Sequence, residues 1–238
     1  MRLGLALLVL AVIAAAAVVA SGFGARFGLW DWHVGFEVLR LGVYTNFALA
    51  ALSLIALIVP RWRAGNAIRL TAALAIAIAA AGLPAWWFKH GVSLPPINDI
   101  TTDTENPPTF VAIVPLRGDS KVPIAYPGPE YARQQHAAYP DIGPIEVAAP
   151  PQNAFARALE AAQAMHWQIV ATDEKAGRIE ATATTPWFGF RDDVVIRVTP
   201  APGGSRIDVR SVSRVGKGDL GANAARIRAY VDRLRKAA

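Results

Sequence analysis

The chain has 238 residues, 53% of them apolar, with 24 basic and 18 acidic side chains for a formal net charge of +6. That apolar share lies above the ~45–50% of globular domains even when glycine is counted in the latter, which excludes a disordered chain and argues against a wholly soluble one. Zero cysteines exclude disulfides, thiolate metal sites and cysteine nucleophiles.

Residues 1–96 hold only seven of the basic side chains and two of the acidic ones, and three uncharged runs dominate them: Leu3–Ala25, Leu41–Val59 and Leu70–Phe88. At ~1.5 Å per residue each run spans a hydrocarbon core of ~30 Å as a helix. None carries a charge, which would cost ~2.5–3.5 kcal/mol at mid-bilayer. Residues 1–90 are therefore expected to be a three-helix transmembrane anchor, with helices at about 3–25, 41–59 and 70–88. The first run also has a rival reading as a cleaved signal peptide, with Arg2 as its positive end; its length favours a retained helix.

Arg61, Arg63 and Arg69 crowd the loop between the second and third runs, whereas the two arginines between the first and second are balanced by Asp31 and Glu37. Short arginine-rich loops stay cytoplasmic. The expected location is the inner membrane, multi-pass, with the C-terminal half in the periplasm. Trp30, Trp32, Trp62, Trp86 and Trp87 sit near the run ends, where indole rings favour the headgroup level. Ala73, Ala77 and Ala81 form a small-residue stripe suited to close helix packing or to a dimer. With no ionisable residue inside the runs, a transport role is disfavoured. The basic residues do not cluster on one accessible face, so nucleic acid is not an expected partner.

Twelve of the 17 prolines fall between Pro95 and Pro151. Such density breaks helices and sheet ladders. Residues 91–150 read as an extended arm, with Phe110–Val114 apolar enough to add one strand.

From residue 151 the pattern is regular. Phe155, Ala158, Leu159 and Ala162 give a helical stripe. Alternation at Trp167–Thr172, 178–184, 194–198 and 206–210 then gives four antiparallel strands. Leu220, Ala224, Ile227, Val231 and Leu234 mark a last helix capped by Asp219. The expected fold of residues 151–238 is α+β: a two-layer sandwich of a four-stranded antiparallel sheet with two flanking helices on its apolar face. Its other face, carrying Glu180, Arg197, Asp208 and Arg210, reads as a solvated surface of cross-strand ion pairs.

No catalytic spacing, metal-ligand set or cofactor motif stands out. Gly216-Lys217-Gly218 lacks the earlier glycine and the following Ser or Thr of a phosphate loop. Adjacent strand residues face opposite sides, so Asp192 and Asp193 cannot act as a carboxylate pair. Three aromatics in one inter-strand connection, Trp187, Phe188 and Phe190, either close the core or grip a partner. With Arg191, Asp192, Arg214 and Lys217 they are the candidate binding residues.

Two stretches carry a family resemblance. Trp187-Phe188-Gly189-Phe190-Arg191-Asp192-Asp193 running on to Arg197, and Arg206-Ile207-Asp208-Val209-Arg210-Ser211 running on to Gly221, resemble domain of unknown function family 1499. Asp99-Ile100-Thr101-Thr102-Asp103 before Pro107-Pro108, and Tyr139-Pro140, are similar too. The likeness covers about residues 97–238 and brings no catalytic residues with it. The expectation is a membrane-anchored binding or scaffolding protein of the cell envelope, touching the lipid bilayer and an envelope protein or apolar ligand. The alternative is an envelope enzyme of unknown class using Asp192, Asp193 or His136.

Overall fold

A computed structural model describes residues 2–118 and 120–236. The chain divides into two compact units: residues 1–90 with Pro186–Gly189, and residues 91–185 with 190–238.

The first unit contains α1 (Arg2–Arg26), α2 (Trp32–Ile58), the single turn α3 (Pro60–Arg63) and α4 (Ala67–Gly91, whose last residue belongs to the second unit). Helices α1, α2 and α4 are each long and apolar enough to cross a membrane. Helix α2 begins nine residues before the charge-free run does, because Asp31 caps it through the His33 amide at 2.8 Å and Glu37 pairs with Arg40 one turn in. Buried positions of α1 fall at Gly4, Leu7, Ala11, Ala14, Val18 and Ser21, alternating steps of three and four. Those of α2 include Gly42, Asn46, Leu49, Ser53 and Ala56 in the same rhythm. A Cβ on Gly42 would lie 2.7 Å from the Val18 side chain, so glycine is what lets the two helices approach. Leu70, Ala73, Ala77 and Ala81 of α4 are fully buried, and the first three join the same core cluster. The alanine stripe is thus spent on packing within the unit. Asn46 donates to its own helix at Gly42 O, 2.9 Å, and the Asn46 Oδ1 and Ser53 Oγ atoms have no partner among the described residues.

The second unit contains β1 (Asp99–Thr101), a 3-10 turn (Val114–Arg117), α5 (Pro129–Ala138), β2 (Ile145–Val147), α6 (Pro151–Ala164), β3 (Gln168–Asp173), β4 (Arg178–Thr184), β5 (Arg191–Ala201), β6 (Gly204–Ser213) and α7 (Ala222–Lys236). The sheet is antiparallel, in the order β1-β6-β5-β4-β3, with β2 also on β6. It therefore has six strands, not the four expected. Left alone, β6 would present a row of bare amides and carbonyls. The proline-rich segment fills that edge with two three-residue strands, β1 opposite residues 210–212 and β2 opposite 205–207. Between them the Thr102 amide donates to Val209 O and the Val209 amide to Thr102 Oγ1. The far side of β1 is closed by the buried Gln135 of α5, which exchanges both amide hydrogen bonds with the Thr101 backbone.

Helices α6 and α7 pack on one face, over Ile179, Ala181, Val194, Ile196, Ile207 and Val209. Trp167 stacks on Tyr230 at 5.3 Å, and the Tyr230 hydroxyl donates to Ala158 O. The alternation read for β3 fails at Val170, where a bulge sets Ile169 opposite Ala181 but Ala171 opposite Glu180. Ile169 and Ala171 thus face opposite sides, and Val170 joins a small apolar cluster of Phe110, Ile113, Val195 and Val212 on the second face.

Candidate functional site

That second face departs most from expectation. Pairing sets Glu180 beside Val195, Val195 beside Arg210 and Arg197 beside Asp208, so these side chains share one side as the alternation predicts. They are not solvated. Glu180, Asp193, Asp208 and Arg210 are at most 2% exposed, because residues 99–124 lie across them as a strap.

Guanidinium–carboxylate clips fasten the strap in three places. Arg210 meets Asp99 bidentately at 2.9 and 2.7 Å and also donates to Pro108 O and Ile124 O. Asp193 takes Arg117 at 2.6 Å from the strap and Arg214 at 2.7 Å from the end of β6. Asp103 receives Arg197 and Arg206, which also hold Asp208. Between the clips, both Glu180 oxygens accept from the Val111, Ala112 and Ile113 amides at 2.9–3.0 Å. Hence Phe110–Val114 forms no strand: its donors are spent on a side chain, and the chain leaves in a 3-10 turn.

The seven residues singled out from the sequence fall in both units, Trp187 and Phe188 in the first and the other five in the second, where the Arg214 amide donates to Arg191 O at 3.1 Å. Trp187 and Phe188 group with the helical unit: the Trp187 indole donates to Val19 O at 3.0 Å over the bare Gly22, and Phe188 stacks on Phe36 at 4.8 Å. The Phe190 amide donates to Thr185 Oγ1 in the β4–β5 connection. Arg191 opens β5 with its side chain exposed. Asp192 turns to the helix side and pairs with Arg226, while Arg214 turns to the strap side. Lys217 is exposed in the loop before α7. His136 meets Thr104 at 2.9 Å, away from Asp192 and Asp193 in the hydrogen-bond pattern.

Asp219 stands three residues ahead of α7 rather than directly before it, and accepts from the Gly221 and Asn223 amides. Burial holds its carboxyl above the ordinary value of 3.8, against the pull of those two amides. A carboxyl raised in the folded state takes up its proton before the unfolded chain does, so its contribution is complete below 3.8 and is lost as pH rises through the folded value. Asp219→Asn, a good cap without the charge, is expected to flatten this part of the stability profile. Melting temperatures of the full chain in detergent, taken from pH 4 upward for both proteins, check it by the difference in slope.

One recess is a groove of about 360 Å³ between residues 141–145 and α7. Ile142, Ile145, Ile227 and Val231 contribute apolar lining, and Asp141, Arg228, Asp232 and Arg235 add charge. Asp141 and Arg228 form two hydrogen bonds of 2.6 Å, which hold the carboxyl below its usual range. Arg228 also lies over the Tyr139 ring. Among the described residues no group of three His, Asp or Glu side chains could hold a metal ion.

The family model described as protein of unknown function (DUF1499) matches residues 99–234. The chain belongs to that family. The matched region begins at Asp99, the strap's first clip, and takes in the whole sheet and nearly all of α7, so strap and sheet are one family module and the membrane-type helices precede it. No curated protein matches the chain. The groove and the Arg228–Asp141 pair were invisible in sequence because their two sides lie 87 residues apart.

Proposed function

We propose that this member of the DUF1499 family is a multi-pass protein of the inner membrane whose family module faces the periplasm and binds or scaffolds an envelope partner, without chemistry of its own. The observation that carries the orientation is the placement of Arg61, Arg63 and Arg69 in the turn and flanks between α2 and α4. Cationic side chains in so short a connection are retained on the cytoplasmic side. One further crossing by α4 delivers residue 91 to the opposite side.

Support for binding comes from how the module spends its polar groups. The carboxylates on the strapped face are committed to guanidinium or backbone partners. The groove along α7 instead combines apolar lining with exposed charge, the mix expected of a recognition site. A reporter fused after residue 238 tests the orientation. Alkaline phosphatase there should be active and a cytoplasm-only fluorescent protein dark; the reverse pattern overturns the reading.

A further inference from the structure

One end of the strapped face carries a like-charge pair. Arg214 follows β6, and its amide donates to Arg191 O at 3.1 Å, which extends by one step the pairing of Asp192 with Ser213 and Asp193 with Val212. Arg191 and Arg214 therefore stand directly opposite, about 5.5 Å apart at Cα. Side chains alternate along a strand, so Arg191 projects on the side of Asp193, the carboxylate that Arg214 contacts. On its other flank Arg191 pairs with Thr184 of β4, which shares that side with Thr182, a donor to Asp193 Oδ1. Thr184, Arg191 and Arg214 thus form a row of hydrogen-bond donors across three strands, with no carboxylate on the row.

Like charges facing each other across a ladder cost stability unless something offsets them. Elsewhere in the sheet the offset is built in: Arg178 is opposite Arg197, and Asp173, Glu180, Asp103 and Asp208 serve those two. Here Asp193 alone serves Arg214, and it is already shared with Arg117. The Arg191 side chain is exposed and makes no hydrogen bond or ion pair among the described residues. Lys121 is exposed and equally unpaired, and it lies between Ser120, whose hydroxyl donates to Arg214 O, and Val122, whose carbonyl accepts from Arg117. Three guanidiniums around one carboxylate leave two positive charges in excess, and the guanidinium with its fork unspent is the one that faces solvent. We propose that Thr184, Arg191 and Arg214 bind the phosphate group of an anionic ligand, with Arg191 as the bidentate contact and Lys121 adding attraction. A phosphate monoester fits: its charge of about −2 near neutral pH matches the excess, and its three terminal oxygens give each donor an acceptor of its own. The site lies on the sheet face away from α7 and its groove, and does not rest on the orientation proposed above.

The test is melting of the full-length protein in maltoside detergent at pH 7, as sodium phosphate replaces sodium chloride at fixed ionic strength, with sodium acetate as the control. A saturable rise in melting temperature is expected with phosphate and none with acetate. Arg191→Gln should lose that rise and yet melt no lower than the parent protein in chloride, because it removes a repulsion and no bond; Arg191→Lys should keep part of the rise. Phosphatidic acid added to the micelles separates two sources of the same chemistry. If it abolishes the response to inorganic phosphate, the ligand is a lipid headgroup, and if the response persists, the ligand is soluble; both results support the site. No rise in the parent protein, an equal rise in Arg191→Gln, or a lower melting temperature of that variant in chloride overturns it. A rise seen only after Asp119→Asn, an acid outside the described residues, overturns it too, by giving Arg191 a partner within the chain.

Discussion

Arg210→Met is expected to destabilise the strapped module by about 3–5 kcal/mol, the range for removing one partner of a buried ion pair. Arg210 is 2% exposed and Asp99 1%, so neither regains water when the other is lost. The substitution leaves the Asp99 carboxylate alone in the interior. It also strands the carbonyls of Pro108 and Ile124 and removes the cation held near the Phe110 and Tyr126 rings. Burial already keeps the Asp99 carboxyl above its ordinary value despite the guanidinium. Without Arg210 burial is opposed only by the charge of Arg117, the smallest of the influences, and the carboxyl rises further. The deficit should therefore be largest at neutral pH and shrink on acidification, as the folded variant takes up the proton that its unfolded chain does not yet hold. Denaturant unfolding of the full chain in detergent at pH 7 and pH 5 measures both effects. The double variant Asp99→Leu with Arg210→Met should recover much of the loss, because an apolar pair owes no desolvation.

That expectation could not have been written from the sequence. The alternation Arg206, Asp208, Arg210 along β6 shows which side chains share a face, and the register bears this out. Alternation does not show whether a face is wet. The partners that dry it, Asp99, Asp103 and Arg117, lie about a hundred residues upstream in a stretch whose prolines draw the eye to its stiffness rather than to its charges. One signal was available: an arm meant only as a spacer has no need of charges set beside large apolar residues, yet Asp99 directly precedes Ile100 and Arg117 directly follows Leu116. In the helical unit the reverse holds. Charge-free runs located all three long helices, and the small-residue rhythm Gly4, Leu7, Ala11, Ala14, Val18 that seats α1 on α2 stood in plain sight. The start of α2 lies outside the charge-free run because Asp31, Glu37 and Arg40 sit where a cap and a one-turn ion pair suit a helix. Two of the six strands leave no pattern in the sequence for a length reason: β1 and β2 have three residues each, too few to show a period of two.

Glu180→Gln, a change of one atom, is expected to cost about 3 kcal/mol, since hydrogen bonds to a charged group contribute ~1.5–3 kcal/mol each and do not add in full. The carboxylate is 1% exposed and accepts on both oxygens, one from Val111 and Ala112 and the other from Ile113. An amide offers a single acceptor. Whichever way it is turned, its NH2 group meets one or two backbone donors head-on, and Arg178, now 3.1 Å from Oε1, is left with Asp173 as its only charged partner among the described residues. The change should act on the strap before it acts on the sheet, because the helix-side core of Ile179, Ile196 and Ile207 makes no use of Glu180. Hydrogen exchange of the full chain in detergent separates the two: amides 111–113 should lose protection by more than a hundredfold for a local cost near 3 kcal/mol, while exchange in β4 and β5 should quicken only as far as the loss of global stability allows. Glu180→Asp tests whether charge alone suffices. Its carboxylate falls one methylene short of three fixed amides, so intermediate protection is expected, and full protection would show that the strap follows the carboxylate rather than being pinned by it.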